Sequence, residues 1–267
     1  MNKIAVIFLL SVGILIILYP YFWGFRVSLM PYATTYIIDL FAPVTLDNYS
    51  YLIFNTLFPR WMFNTFFIAG VVSITNAFFC LFGGYALARN KVIGSRIHFS
   101  LTLFAMAIPQ YILIVPLFFM MASLNLLDNY LSVILPLAVD PMGIFIFRQY
   151  IISLPEAYEE AAKIDGCSDI GIIWRIVLPL CKPALTVIIV TEFINTFNNF
   201  IYPLIMFYSP SMQTITLGIA NFTYATLNVN WGATMAASIL GAIPSIILLM
   251  FLSKRLIEGF MLGGIKA

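Results

Sequence analysis

Charged residues are scarce in this sequence, and so are the residue types from which catalytic and metal sites are built. Only 9% of the 267 residues are charged, compared with about a quarter in a typical soluble domain. The single histidine is His98, and Cys80, Cys167 and Cys181 form no C-x-x-C spacing, which leaves no basis for a metal site or a disulfide framework. No nucleophile elbow and no plausible pair of catalytic carboxylates is present. We therefore predict no catalytic, cofactor-binding or metal-binding residue, and the net charge of +2 is too small to indicate nucleic acid as a partner.

The sequence is instead rich in long runs of apolar residues. Apolar residues make up 62% of it and the mean hydropathy is +1.01, values that indicate a lipid bilayer as the surroundings. The first apolar run is predicted to be an uncleaved transmembrane helix, because no small-residue cleavage site of a secretory signal follows it. The fourth run is short and contains Pro136, Asp140, Pro141 and Gly143, as expected of a kinked helix that faces other helices. The fold class is thus predicted to be an all-α integral membrane protein, a single transmembrane domain over 1–267 with six helices at 4–23, 61–88, 99–121, 131–146, 184–206 and 233–252.

The lysines and arginines predict how these six helices are oriented. With the N-terminus placed in the cytoplasm, eleven of the 13 fall on the inner side, and only Arg26 and Arg60 fall outside, both near helix ends from which a long side chain can reach the interface. The positive-inside rule therefore predicts that both termini are cytoplasmic. This orientation makes 147–182 the longest cytoplasmic loop and places 207–232 outside.

The cytoplasmic loop contains an unusual concentration of charge. The stretch EAYEEAAKIDG, residues 156–166, holds five of the 24 charged residues of the chain. Ser153 followed by Glu156 has the spacing of a capping box, with Pro155 in the first turn, so a helix is predicted to begin here. Gly166 is predicted to end it, because glycine adopts the left-handed conformation that closes helices at little steric cost.

The two faces of this helix are predicted to differ. Ala157, Ala161 and Ile164 recur at helical spacing and form a small, smooth face that another surface could approach closely, while Glu159 and Lys163 are predicted to pair one turn apart. A second helix, capped by Ser168 and Asp169, would carry an apolar stripe of Ile170, Ile173, Trp174 and Val177. On pattern alone, two readings stay open for this helix-turn-helix: a solvated loop that lies along the bilayer, or a docking surface.

The loop resembles a known signature. Glu160, Ala161 and Ala162, followed by Gly166 and then by Ile176, Leu178 and Pro179, resemble the EAA motif of permease subunits of binding-protein-dependent ABC importers. Other stretches resemble the carbohydrate-importer permeases of the maltose and glycerol-phosphate type, and the resemblance extends from about residue 45 to the end. Those stretches are WMFNTFF from position 61, GYALAR (84–89), IFIFRQY before the loop, FNNFIYPLI (197–205) and WGATMAAS (231–238).

The resemblance implies partners and a mechanism. The EAA helix of this family seats in a groove on a cytoplasmic ATPase, so the resemblance implies two ATPase subunits, a second homologous permease, an extracytoplasmic solute-binding protein and a carbohydrate substrate, all at a bacterial or archaeal cytoplasmic membrane. The chain has no GxxxxGK[ST] motif, so the nucleotide would be bound by the separate ATPase. The residues implied in ATPase coupling are Glu160, Ala161, Ala162, Asp165, Gly166, Leu178 and Pro179.

Polar residues in the fifth run are candidates for the translocation path. Glu192, Asn195 and Asn199 share one helical face, and Asn195 and Asn198 share another, at a depth where polar side chains are costly unless they face a cavity or a partner. Asparagine amides offer both donors and acceptors, which suits sugar hydroxyls. The alternative is that these side chains only hydrogen-bond between helices. Glu192 also departs from the mostly apolar helix expected of the family. Two readings stay open for Asp140 in the fourth run: pairing with a neighbouring helix, or a place in a solvated gap.

The outer segment from Asn221 to Trp231 is polar, aromatic and uncharged. By resemblance it reaches the docked solute-binding protein, with Asn221, Tyr224, Asn228 and Trp231 as the candidate contacts, although any outer loop could have this composition. Two other functions stay open: a permease for a different solute such as glycerol phosphate, and a secondary transporter that works without ATP. The former would require a cationic residue in the path, which the predicted spans of this chain lack but which the partner permease could provide. The latter would need ionisable relay residues at mid-membrane, and only Asp140 and Glu192 qualify.

Overall fold

The chain is built from α-helices joined by short loops and single turns, and no β-strand occurs in the ranges described here. The computed structural model describes residues 3–31, 35, 41–89, 91–224 and 229–264, without the side chains of 222–224 and 251–264. The predicted all-α fold is confirmed for these ranges. The helices are α1 (Lys3–Ser28), α2 (Asp47–Asn55), α3 (Phe58–Ala88), α4 (Ser95–Ala107), α5 (Ile114–Ser123), α6 (Leu131–Leu137), α7 (Pro141–Ile152), α8 (Ala157–Ile164), α9 (Asp169–Ile172), α10 (Leu178–Leu180), α11 (Lys182–Phe197), α12 (Ile201–Met206), α13 (Ile215–Tyr224) and α14 (Trp231–Gly264), with 3₁₀ turns at Gln110–Leu113 and Pro210–Met212 and a π-helical turn at Ile173–Val177.

Between four and six segments of the described chain could cross a membrane. Four segments are long and apolar enough without a sharp bend: Lys3–Ser28, Phe58–Ala88, Leu131–Ile152 and Trp231–Met250. The number rises to six if each of two bent pairs counts as one span, namely Ser95–Ala107 with Gln110–Ser123, bent by 92°, and Asp169–Leu180 with Lys182–Phe197, bent by 82°.

Proline explains the bend within the third predicted run. Ile108 precedes Pro109 and has an extended backbone, with φ −85° and ψ 120°, because a proline ring disfavours the helical conformation for the residue before it. α4 therefore ends at Ala107, and the helical turn that starts at Gln110 takes a new direction.

The fourth run is broken, as its sequence predicts. α6 ends at Leu137, and α7 begins at Pro141 after the extended residue Asp140. Pro141 has no N–H with which to bond the Leu137 carbonyl, and Asn76 Nδ2 of α3 donates to that carbonyl instead, at 3.4 Å. The thiol of Cys80, also on α3, donates to the Asp140 carbonyl at 3.3 Å. Side chains of α3 thus satisfy the interrupted backbone, as non-helical backbone at membrane depth requires.

The fifth run is shorter as a helix than predicted. α11 ends at Phe197, and α12 starts only at Ile201. Asn199 Oδ1 accepts the backbone N–H of Tyr202 at 3.1 Å and so caps the first turn of α12. The polar stripe predicted along one continuous helix therefore ends in a break that Asn198 and Asn199 occupy.

The chain divides into two compact units, each made of two stretches of sequence. The first is Met1–Asn64 with Gln213–Pro244. In it, the Asn48 amide donates to the carbonyls of Ser28 at 2.9 Å and Met30 at 2.8 Å, and the Asn64 amide donates to the Gln213 carbonyl at 2.8 Å. Buried side-chain amides thus join segments that are distant in sequence.

The second unit is Thr65–Met212 with Ser245–Ala267, and it contains a close crossing of α3 and α7. A Cβ on Gly84 would lie 2.5 Å from Phe147 Cβ and 2.9 Å from the backbone nitrogen of Arg148, and a Cβ on Gly143 would lie 2.7 Å from Cys80 Sγ. Small residues at such crossings let helix backbones approach closely. A buried core that includes Leu81, Phe147, Ile172 and Val177 lies at the same end of α3.

Candidate functional site

The helix predicted in the EAYEEAAKIDG stretch is present as α8, but it begins differently from the prediction. The capping box of Ser153 and Glu156 is wrong: α8 starts at Ala157, and no side chain caps it. The Ser153 hydroxyl instead donates to the Tyr150 carbonyl at 2.6 Å, at the C-terminal end of α7. The capping spacing coincides here with the end of the preceding helix, whose last carbonyls compete for the same hydroxyl.

Glu159 faces the interior, so the predicted pair of Glu159 with Lys163 is also wrong. Glu159 is only 5% exposed. One of its carboxylate oxygens accepts from Arg89 Nε at 2.8 Å, and the other accepts from the Tyr85 hydroxyl at 2.9 Å. The Arg89 guanidinium also donates to the Leu154 carbonyl at 3.1 Å, so α8 and the turn before it are fastened to the end of α3.

The pair of Arg89 with Glu159 is the most buried of the ion pairs described in this loop. The side chains of Arg89 and Glu159 are each 7% exposed. The charge-assisted hydrogen bond between them compensates for the desolvation of both charged groups. Removing one partner of such a buried pair costs about 3–5 kcal/mol, because the other charge stays buried and uncompensated. The surface pairing rule missed this contact because it assumes that both side chains face solvent. The sequence feature that could have indicated this contact is Arg89, a charged residue at the end of a long apolar helix that needs a partner.

The opposite side of α8 is open to contact. Ala157 and Ala161 are exposed, as predicted for the small face, and Ile164 at 87% and Tyr158 at 55% add apolar surface. Glu160 is also exposed and could offer a charged hydrogen bond. An apolar patch edged by a charge is typical of a protein-contact surface.

The other residues predicted for ATPase coupling lie in different surroundings. Ala162 is 8% exposed and packs in the core beside Glu159. Its small side chain therefore allows close packing within this chain rather than against an ATPase. Leu178 is partly buried against the same core. Asp165, Gly166 and Pro179 are exposed. The exposed members of the predicted set therefore lie on α8 and at its end, apart from Pro179.

The turn after α8 has the predicted geometry. Gly166 has φ +79°, the left-handed region that favours glycine, and a Cβ placed on it would meet nothing within 4 Å. Ser168 then caps α9 by accepting the Gly171 N–H at 3.2 Å, as predicted. Within the predicted apolar stripe, Ile173 and Val177 are buried, whereas Ile170 and Trp174 are exposed.

A polar cavity contains three of the four residues predicted for the translocation path. It has a volume of about 80 Å³ and lies between α11, the break before α7 and the turn at Gln110. Glu192 Oε1 accepts from the Thr196 hydroxyl at 3.2 Å on one wall of it. A larger, more apolar cavity of about 380 Å³ adjoins it and shares Gln110 and Asp140. The lining residues of the small cavity are Gln110, Pro136, Leu137, Val139, Asp140, Glu192, Asn195, Thr196 and Asn199.

Asn198 does not line this cavity. Its amide donates to the Ile194 carbonyl at 2.8 Å and to the Ser245 hydroxyl of α14 at 3.2 Å. These contacts match the alternative of helix-to-helix hydrogen bonding for Asn198. Asp140, by contrast, joins Glu192 in the cavity although it comes from another helix pair. Gln110 also lines the cavity, and no sequence pattern marked it as a candidate.

The predicted binding-protein contacts are described only in part. Asn221 is exposed on α13, and Trp231, 37% exposed, is the first residue of α14. Asn230 Oδ1 accepts the Ala233 N–H at 3.0 Å and caps α14. The side chain of Tyr224 and the whole of Asn228 lie outside the described residues.

The helices of the described residues, with four to six candidate spans, define a multi-pass membrane protein. The chain is a member of the family of binding-protein-dependent transport system inner membrane components, which matches residues 80–260. Members of this family are membrane subunits of transport systems, so the chain is a transport subunit and not an enzyme.

The proteins that this chain resembles in sequence are also permease subunits of transport systems. The chain is 36% identical over 225 residues to the arabinooligosaccharides transport system permease protein AraQ of Bacillus subtilis (strain 168), covering 84% of this chain and 79% of that one. It is 28% identical over 267 residues to the sn-glycerol-3-phosphate transport system permease protein UgpE of Yersinia pestis bv. Antiqua (strain Antiqua), covering 95% and 94%. A chain of a bacterial ABC transporter involved in the import of the acidic polysaccharide alginate has the same fold, with a TM-score of 0.83 and 24% identity over 94% of this chain and 95% of the other.

Proposed function

We propose that this chain is one of two homologous permease subunits of an ATP-driven carbohydrate importer, and that α8 is its contact with a cytoplasmic ATPase. The observation that carries the proposal is the two-sided character of α8. One side is fastened to α3 through the buried Glu159, and the other exposes Ala157, Ala161 and Ile164. A helix held rigidly by its own chain and open on its far side is suited to receive a mechanical input from a partner.

The topology follows from the distribution of basic residues. Six spans with both termini in the cytoplasm place α8 on the same side of the membrane as an ATPase, which has access to ATP only there. Asn221 and Trp231 then lie on the outer side, where a solute-binding protein would dock with its sugar. Glu160, Asp165, Gly166, Leu178 and Pro179 complete the coupling region.

A pull-down with matched variants tests the contact at α8. The wild-type chain, purified through a tag from cells that produce the whole importer, is expected to bring down an ATPase and a second permease. Ile164→Asp should reduce the recovered ATPase at least about tenfold, since placing a charge in an apolar contact costs more than the 1.4 kcal/mol that corresponds to a factor of ten.

Ile93→Asp is the matched control for this pull-down. Ile93 is 98% exposed and belongs to the loop between α3 and α4, so it tests the effect of the same substitution away from α8. The control should retain the wild-type amount of ATPase. Recovery of the wild-type chain as a transport-competent protein without an ATPase would refute the proposal, and equal recovery with both variants would refute the role of α8.

The solute is proposed to pass the polar cavity as a neutral saccharide. The carboxylates of Asp140 and Glu192 and the amides of Asn195 and Asn199 can bond hydroxyl groups, and the cavity lining includes no lysine or arginine. A phosphorylated solute such as glycerol phosphate is disfavoured by this lining, since an anion would face two acidic side chains without a compensating cation.

Uptake by cells that carry the whole importer distinguishes these two solutes. Arabinotriose serves as the test saccharide because the relative AraQ is named for arabinooligosaccharides, and it is expected to be taken up in preference to sn-glycerol 3-phosphate. Glu192→Gln should lower arabinotriose uptake about tenfold, because a hydrogen bond to a charged group contributes about 1.5–3 kcal/mol. Asn198→Ala, which alters the contact with Ser245 outside the cavity, should keep the wild-type dependence on solute concentration. Preferential uptake of glycerol phosphate would contradict the assignment.

A further inference from the structure

The buried cluster at α8 continues into a second set of contacts on α3. Arg89 and Tyr85 bind Glu159 at the C-terminal end of α3. On the same helix, Cys80 and Asn76 bond the backbone carbonyls of Asp140 and Leu137 at the break between α6 and α7. With a helical rise of 1.5 Å per residue, these contacts lie about 8 and 14 Å along the helix from Tyr85. One continuous helix thus connects α8 to the wall of the polar cavity.

The crossing between α3 and α7 leaves little room for relative movement. Gly84 packs directly against the backbone of α7 at Phe147 and Arg148, and Gly143 packs against Cys80. Close-packed interfaces of this kind transmit displacement because they are not continuously deformable. A shift of the end of α3 is therefore passed to α7 and to the backbone on both sides of Asp140.

We propose that the buried Arg89–Glu159–Tyr85 cluster is the linkage through which displacement of α8 moves α3 and, through Asn76 and Cys80, reshapes the polar cavity at Asp140. This inference rests on the proposed docking of an ATPase on α8. Arg89, Glu159 and Tyr85 act as positioning residues, since they touch neither the ATPase nor the solute. The linkage extends the coupling region from the exposed face of α8 into the membrane.

A neighbouring ion pair shows what sets this cluster apart. Lys91 Nζ lies 3.2 Å from Asp169 Oδ1 and also joins the end of α3 to the cytoplasmic loop, but its side chains are 37% and 61% exposed. Exposed pairs of this kind contribute little and are screened by salt. Of these two connections, the Glu159 cluster is the one that is shielded from solvent and held by several hydrogen bonds, so it is expected to transmit force better than the Lys91 pair.

The test follows the shape of the cavity in the assembled importer. Cysteine replaces Asn195, a cavity residue, in a Cys167→Ser background, which removes the one native thiol that is not buried. The importer is purified through a tag on this chain. The rate at which N-ethylmaleimide labels this chain is then measured with and without ATP plus vanadate. ATP hydrolysis and the amount of ATPase recovered are measured on the same samples.

The chain with Asn195→Cys and Cys167→Ser, called the parent below, is expected to label at different rates with and without ATP plus vanadate. Glu159→Gln and Arg89→Lys should lose this difference while the ATPase still co-purifies and hydrolyses ATP, and Lys91→Met should keep it. If Glu159→Gln and Arg89→Lys do not accumulate, Tyr85→Phe keeps the ion pair, removes one hydrogen bond and should reduce the difference.

Two results overturn the linkage. One is that Glu159→Gln still labels at different rates with and without ATP plus vanadate. Where Glu159→Gln does not accumulate, the same result with Tyr85→Phe overturns the linkage. The other is a parent that hydrolyses ATP without any change in labelling. Absence of the ATPase from the purified parent would instead reject the proposed function itself, so the two failures are distinguishable.

Discussion

Replacing Gly166 by valine is expected to abolish solute uptake while the chain stays in the membrane and ATP hydrolysis continues. Gly166 has φ +79°, and a Cβ added there would meet no atom within 4 Å, so the whole effect arises from the backbone. The left-handed conformation costs a residue other than glycine about 1–2 kcal/mol, and a β-branched side chain is disfavoured there most strongly. The turn between α8 and α9 would take another conformation and change the angle at which α8 is presented.

Gly166→Asn is the matched control, because asparagine tolerates the left-handed region better than other residues that have a Cβ. It should retain most of the uptake. The measurement is accumulation of labelled solute in proteoliposomes containing the whole importer, alongside phosphate release. Undiminished uptake by the valine variant would contradict the role of this turn in coupling.

Replacing Gly84 by alanine is expected to prevent the chain from reaching its folded state in normal amounts. The added Cβ would lie 2.5 Å from Phe147 Cβ and 2.9 Å from Arg148 N, and neither atom can rotate away, since one is attached directly to the backbone and the other belongs to it. α3 and α7 would have to separate. Overpacking of this kind costs about 1–3 kcal/mol, and it would also disturb the contacts of Asn76 and Cys80 with the α7 break.

The adjacent glycine provides the control for this substitution. A Cβ on Gly83 would lie 3.5 Å from side-chain carbons of Ile144, an ordinary contact distance, so Gly83→Ala should fold normally and gain helix propensity. The two variants are compared by the monodisperse fraction after detergent extraction and by the thermal midpoint of tryptophan fluorescence. Equal behaviour of the two alanine variants would show that the helices can separate here at little cost.

Features that depend on local chemistry were predictable from the sequence. Gly166 as the end of α8 and Ser168 as the cap of α9 follow from preferences of single residues for particular backbone conformations. The broken fourth run follows from Pro141, which disfavours the helical conformation for Asp140 before it. The family resemblance carried by the EAA signature was confirmed by the match over residues 80–260.

Features that depend on which face of a helix is covered were not predictable in the same way. Ser153 fits a capping box but lies at the end of α7, where the Tyr150 carbonyl takes its hydroxyl. Glu159 and Lys163 have the spacing of a surface pair, but the register of α8 turns Glu159 and Ala162 towards α3. Asn198 shares a helical face with Asn195, yet the end of α11 directs it to Ser245.

By itself, the sequence determined the membrane setting, the helical fold, the break in the fourth run, the turn at Gly166 and the family of this protein, because composition, proline, glycine and short motifs act within a few residues of themselves. Only the tertiary structure decided that Glu159 is buried against Arg89 and Tyr85, and that Asp140 and Gln110 share a cavity with Glu192. Glu159 is 70 and 74 positions from Arg89 and Tyr85 in the chain, and Glu192 is 52 and 82 positions from Asp140 and Gln110. Periodicity identifies the faces that a helix has, but the choice between them is made by the helix that packs against it.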